Sequence, residues 1–256
     1  MFMKKGDFVE IDFVGRIAST GDVFDLTSEE AAKEEGVFSP GQKYKPSLVV
    51  VGSGMAVPGV EKKLEHMEVG EEKGFDLAPE EGFGQRNMRL IRIIPISKFT
   101  KEKINPAPGI FIDIDGMQAK ILSIAGGRVR VDFNHPLAGK HLKYKVKIIR
   151  QITDTLEKAQ SLLSYYGIKC KARLDGESMV LESEKPMNEF IKRIAGDAIM
   201  KWVPEVKGVT FGEKQAHSPK EKEGAASGHN HASGHESHIP AGKERENEEA
   251  PEEKTA

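Results

Sequence analysis

The sequence predicts an α+β protein: an antiparallel sheet, an all-β domain inserted into it, a small C-terminal α+β domain and a disordered tail. Three observations predict this. Residues 7–18, "DFVEIDFVGRIA", and 141–152, "HLKYKVKIIRQI", alternate apolar and polar side chains, the period of a half-buried strand, so two distant segments can pair in one sheet. Between them, residues 87–138 break into short strand-like runs with "DG" and "GG" turns. After Phe211 the chain holds one large aliphatic, Ile239, among Gly, Ala, Ser, Pro, Lys and Glu, too little apolar surface to offset the entropy of ordering.

In chain order, "STGD" turns the first strand and "VFDLT" returns it. "SEEAAKEE" opens with a good N-cap and an acidic first turn, predicting a helix over 28–35. "VFSPGQKYKPS" reads as loop, "LVVVG" as a buried strand, and "VPGVEKKLEHM" as a short helix with Pro58 near its start. "EEKGFDLAP" is a further strand, ending in the turn "APEEGFGQR". The insert supplies "LIRIIP", "GIFIDIDG", "MQAKILSIAGG" and "RVRVDF" as strands. "TDTLEKAQSLLSYYG" has a Thr cap, helical spacing of Leu156, Ala159, Leu162, Leu163 and Tyr166, and a terminal Gly. "IKCKARLDGESMVLES" is a hairpin with "DG" at its tip, "PMNEFIKRIAGDAIMKWV" an amphipathic helix and "EVKGVTF" a last strand. The domains are therefore residues 1–86 with the return strand 139–152, the insert 87–138, the C-terminal unit 153–212 and the tail 213–256.

Composition narrows the function classes. A net charge of −2 gives no case for a nucleic-acid partner. The tail carries six Lys and Arg against ten Glu, a net of −4, which leaves the body at +2. The lone Cys170 excludes an internal disulfide and fits a reducing compartment. No apolar run approaches the ~20 residues that span a bilayer, and the N-terminus lacks a signal-peptide core, so a cytoplasmic protein with no membrane partner is expected.

Catalytic constellations are missing: no G-x-S-x-G, no phosphate-binding Gly-rich loop after a strand, no H-E-x-x-H. Cys170 reads as a buried, inert thiol, and His66, His135 and His141 as scattered structural histidines. Phe83 is conspicuous, an aromatic ring between glycines at the centre of a turn. It is either a plug folded onto the core or the rim of a pocket. Phe13, Phe24, Val57, Val60 and Tyr144 also stand at strand ends and turns, with Asp25 a single acid beside Phe24. Periodicity alone makes these core residues.

The ordered set "DFVGRIASTGDVFD", "VVVGSGMAVPGVEKKLEHMEVGEEKGFDLAPEEGFG" and "NHPLAGKHLKYKVKIIR" resembles the FKBP-type peptidyl-prolyl isomerases, and within them the SlyD-like branch and its long archaeal members. The resemblance covers residues 5–152; it implies a sheet wrapped on a short helix and an insert-in-flap domain at 87–138. It also implies a prolyl pocket of Phe13, Phe24, Asp25, Ala56, Val57, Val60, Phe83 and Tyr144, with Leu137 as an apolar wall from the flap. On that reading the Phe83 turn presents its ring to a substrate proline. Phe13 and Phe83 stand where the family commonly has Tyr, which removes a hydroxyl for the substrate carbonyl, and Val60 replaces a large aromatic floor.

The implied activity is isomerisation of X-Pro bonds in unfolded or nascent polypeptides, with folding-chaperone action and no required cofactor. A holdase without enzymatic activity and a nickel-binding or nickel-delivery protein remain alternatives. The last rests on the tail "GHNHASGHESH", whose His229, His231, His235 and His238 can fold around Ni or Zn. SlyD-like relatives often carry a His-rich tail that binds nickel, although this tail lacks their cysteines, and it can equally be a solvated low-complexity tail.

Overall fold

The computed structural model describes residues 2–213. The alternating segments pair as expected: β1 (Phe8–Ile17) lies antiparallel to β9 (Leu142–Ile152), with Phe8 opposite Ile152 and Ile17 opposite Leu142. Strand β4 (Glu72–Leu77) takes the other edge of β9. The free edge of β1 is shared by β3 (Ser47–Val50), along Phe8–Ile11, and β2 (Val23–Leu26), along Val14–Arg16. Helix α1 (Glu29–Glu34) follows β2 and is capped by Ser28, whose side chain accepts from the Ala31 N–H.

In β9, Leu142, Tyr144, Val146 and Ile148 are buried while the lysines between them are exposed. The buried row packs on Val60 and Leu64 of α2 (Pro58–Leu64), so the sheet wraps a short helix. The opposite face is also covered at one end. Val9 and Val49 join the α2 core, whereas Phe8 and Val50, one residue along, point the other way into a second core. Two-sided burial explains why "LVVV" is apolar without alternation.

That second core holds the C-terminal unit: α4 (Thr155–Tyr165), α5 (Glu189–Trp202), and a sheet in the order β10 (Lys171–Asp175), β11 (Ser178–Ser183), β12 (Gly208–Glu213). Leu162 and Leu163 are buried there with Phe8, Val50 and Ile152 of the first sheet. At about 1.5–3 kcal/mol for each fully buried aliphatic, this shared core docks the unit firmly on the sheet. Helix α4 is capped by Asp154, which accepts from the Glu157 N–H, rather than by Thr. Leu156 and Tyr166, read as its apolar face, are exposed, because three residues (Ala159, Leu162 and Leu163) fill the contact. Cys170 is buried just ahead of β10, and burial raises its thiol pKa.

The insert forms its own sheet, β5 (Ile91–Pro95), β8 (Arg128–Asp132), β7 (Met117–Ala125) and β6 (Phe111–Ile114), in that order. It is not wholly β. Helix α3 (Ile96–Lys101) follows β5 and delivers Phe99, 2% exposed, to the centre of the insert's core. The strand-like aliphatics divide: Ile114, Ile121, Val129 and Val131 fill that core, while Ile93, Ile110 and Phe111 are exposed. No helix among the described residues is long and apolar enough to cross a membrane.

Candidate active site

Seven structural pieces converge on one end of the α2 core. β1 brings Phe13 and β2 brings Phe24 and Asp25; the loop before α2 brings Ala56 and Val57; α2 itself brings Val60. β9 supplies Tyr144, the turn after β4 supplies Phe83, and the return from the insert supplies Leu137. Val60 and Tyr144 lie at the bottom, 3% and 7% exposed, and Phe13, Phe24, Ala56, Val57, Phe83 and Leu137 are partly buried around them.

The rings hold one another. Tyr144 stands 6.0 Å from Phe13, 5.7 Å from Phe24 (edge-on, 78°) and 6.4 Å from Phe75. Phe24 meets Phe83 edge-on at 6.2 Å. Phe24 lies so close over β1 that a Cβ at Gly15 would sit 2.5 Å from its Cζ, which accounts for a glycine inside a strand. Gly15→Ala is therefore expected to push the Phe24 ring out of place. Isomerisation kcat/KM should fall roughly tenfold or more, since small misplacements of a site group cost that much. The thermal midpoint measured alongside should move little.

The loop that carries Ala56 and Val57 is tied down by a buried acid. Glu61 of α2, 9% exposed, accepts from the Gly54 N–H at 2.7 Å and the Ala56 N–H at 3.4 Å. Phe83 is held in a turn that Gly84 closes at φ +79°, its N–H donating to the Pro79 carbonyl at 2.7 Å. The ring stacks flat on His135, centroids 4.4 Å apart and 2° between planes. His135 Nδ1 accepts from the Leu137 N–H at 3.2 Å, so in the neutral ring the proton sits on Nε2.

The root of the insert is clamped close by. Arg86 Nε donates to Asp132 Oδ2 at 3.0 Å, and Asn134 exchanges two bonds with Asn87.

Two groups near the rings can hydrogen-bond a ligand. Desolvation among the rings pushes the Asp25 carboxyl above its ordinary range against the pull of the Leu26 N–H, although the residue itself is exposed. Burial, with the Asp25 charge adding, pushes the Tyr144 phenol up to about 12. Its proton is therefore retained across the physiological range. A raised phenol pKa gives stability that is complete below the unfolded value of about 10 and is lost as pH climbs through the folded one. Thermal unfolding between pH 10 and pH 12 should show that loss, and Tyr144→Phe should lose less over the same interval.

A family model described as FKBP-type peptidyl-prolyl cis-trans isomerase matches residues 1–100, and another, described as FKBP26, IF domain, matches residues 92–137. Over 146 residues the chain is 40% identical to the short-type peptidyl-prolyl cis-trans isomerase of Methanocaldococcus jannaschii, covering 57% of this chain and 92% of that relative. The chain belongs to the FKBP-type peptidyl-prolyl cis-trans isomerases. Other FKBP-type relatives include the 16 kDa isomerase of Escherichia coli, 30% identical over 52% of this chain and 86% of the relative. SlyD of Helicobacter pylori is 28% identical over 49% of this chain and 72% of the relative. Neither FKBP family model reaches the C-terminal unit.

All nine residues expected at an FKBP prolyl pocket thus lie at this end of the fold, Asp25 on its rim. The sequence does not by itself point to Phe75, His135 or the anchoring role of Glu61. Glu61 had a signal, as the acid of the P-G-x-E block. His135 had only its place in "NHPLAG". His229, His231, His235 and His238 lie outside the described residues; among those described, no group of three or more His, Cys, Asp or Glu is arranged to hold a metal ion.

Proposed function

We propose that this chain isomerises X-Pro peptide bonds of unfolded or nascent polypeptides, and that the aromatic bowl around Tyr144 is the prolyl pocket. The observation that carries this is the convergence of Phe13, Phe24, Phe83 and Tyr144 rings on Val60 in a chain of this family.

The reaction suits such a residue set. Amide resonance gives the C–N bond a rotation barrier of about 18–20 kcal/mol and makes X-Pro isomerisation take tens to hundreds of seconds. Twisting the bond breaks the resonance and lowers the charge separation of the carbonyl. An apolar bowl solvates the polar planar amide poorly and so favours the twisted form, with no nucleophile and no covalent intermediate. Asp25 on the rim and the protonated Tyr144 hydroxyl at the bottom are the groups available to bind the substrate backbone. His135 Nε2 offers a donor beside Phe83, where a hydroxyl is lacking. A coupled isomer-specific assay on an X-Pro tetrapeptide tests the reading: catalysis above the uncatalysed rate is expected, and its absence overturns it.

The tail carries a separate proposal, metal binding by His229, His231, His235 and His238, spaced by two, four and three residues in a Gly/Ser-rich chain. Ligation needs neutral imidazoles, so binding should weaken as pH falls below about 6.5. Calorimetry with Ni²⁺ should show uptake by the full chain and none by a chain ending at Phe211; matching isotherms would end the idea.

A further inference from the structure

We infer that α4 of the C-terminal unit walls a second polypeptide subsite, which takes the extended chain flanking the X-Pro bond and favours acidic side chains there. This rests on the prolyl-pocket reading.

A groove of about 770 Å³, within the range of small-ligand and peptide sites, opens from the bowl. Phe13 and Asp25 line its near end, so the groove and the bowl share two residues. Ser161 and Tyr165 of α4 form the far wall, and the loop before β3, with Lys43 and Lys45, forms the lip. A polypeptide bound at its proline must leave the bowl somewhere, and this channel starts at the bowl's own residues.

The wall is fixed. Leu162 and Leu163, next to Ser161, are locked into the core shared with Phe8 and Val50. Tyr165 is 46% exposed, a ring with a polar tip for a peptide to pack on, and Ser161 Oγ has no hydrogen-bond partner among the described residues.

Charge sets the preference. The groove's acids on β1 and α4, Glu10 and Glu157, are both bound by Arg150, at 2.8 and 2.7 Å. Lys43 and Lys45 are exposed and have no carboxylate partner among the described residues. Asp25 at the near end also has no cationic partner among the described residues, so the preference belongs to the lip, where the unpaired Lys43 and Lys45 suit Asp or Glu in the flanking chain.

The test compares an X-Pro tetrapeptide with peptides of the same centre lengthened to about twelve residues, flanked by Asp/Glu or by Ser. The proteins are full-length wild type, Ser161→Trp and Lys43→Glu/Lys45→Glu. For wild type, KM should be roughly tenfold lower on the acid-flanked long peptide than on the tetrapeptide, with kcat alike. Ser161→Trp should remove the gain for every long peptide, and the charge reversal only for the acidic one. Both variants should turn over the tetrapeptide like wild type. Equal KM for short and long peptides in wild type, or long-peptide KM untouched by Ser161→Trp, overturns the subsite. Anisotropy of a labelled long peptide separates this from the underlying reading. No turnover of any peptide, with binding that Ser161→Trp weakens, would sink the isomerase and support the groove.

Discussion

Phe24→Ala should lower kcat/KM on an X-Pro tetrapeptide by about 10- to 100-fold while the protein stays folded. The ring touches both Tyr144 and Phe83 edge-on, and it lies over Gly15, so it is a wall of the bowl rather than a member of the deep core. A buried aromatic contact contributes about 1.5–3 kcal/mol, and each 1.4 kcal/mol missing from the transition state is about tenfold in rate. The ring is partly exposed in the free protein, so its loss costs stability less than the 3–5 kcal/mol of a fully buried Phe. Circular dichroism and the thermal midpoint check the fold, and the tetrapeptide assay checks the rate. Asp25→Ala should also lower the rate, through the loss of a polar contact at the rim. Wild-type rates in both variants would mean that proline is bound elsewhere.

How much of this could be read beforehand depends on which force fixes each residue. The first sheet was legible because burial on one face imposes period two, as in β9, where Lys143, Lys145 and Lys147 alternate with buried apolar residues. Helix α3 was not, because "ISKFTK" is a turn and a half, too short to show a 3.6-residue period, and it exists to seat Phe99. The cap of α4 was misplaced by one residue because Thr153, Asp154 and Thr155 can all cap; only geometry selects Asp154.

Of the bowl, periodicity offered apolar residues without a function, and only the family resemblance implied the nine. Contacts made between distant segments stayed hidden. The Phe83–His135 stack joins residues fifty-two positions apart across the insert, and no local pattern announces such a pair. The same holds for the docking of the C-terminal unit. "FVEI" and "LVVV" hint at burial on two faces, but Phe8 and Val50 find α4 only in the folded chain.

Removing the insert should cost catalysis on a refolding protein far more than on a short peptide. Replacing residues 88–133 with a short linker keeps Asn87, Asn134, His135 and Leu137, and the two ends are already bonded to each other, Asn87 N to Asn134 Oδ1 at 2.8 Å. The bowl then retains all its rings, so tetrapeptide turnover should stay within about threefold of wild type, the scale on which surface changes act. On a protein whose refolding is limited by proline isomerisation, catalysis should drop by about 100-fold. The proposed reason is tethering: a weak chain-binding surface on the insert would raise the local concentration of substrate to about the millimolar range. The proposed surface is the exposed apolar set on the insert, Ile93 at 66%, Met88 at 64%, Met117 at 49% and Phe111 at 48% exposure. These are side chains its own core leaves out, since Phe99, Ile114, Ile121 and Val131 already fill that core. Ile93→Ser with Phe111→Ser in the intact chain should reproduce part of the loss without disturbing that core. Equal losses on tetrapeptide and refolding protein, in either variant, would reduce the insert to a support for the flap.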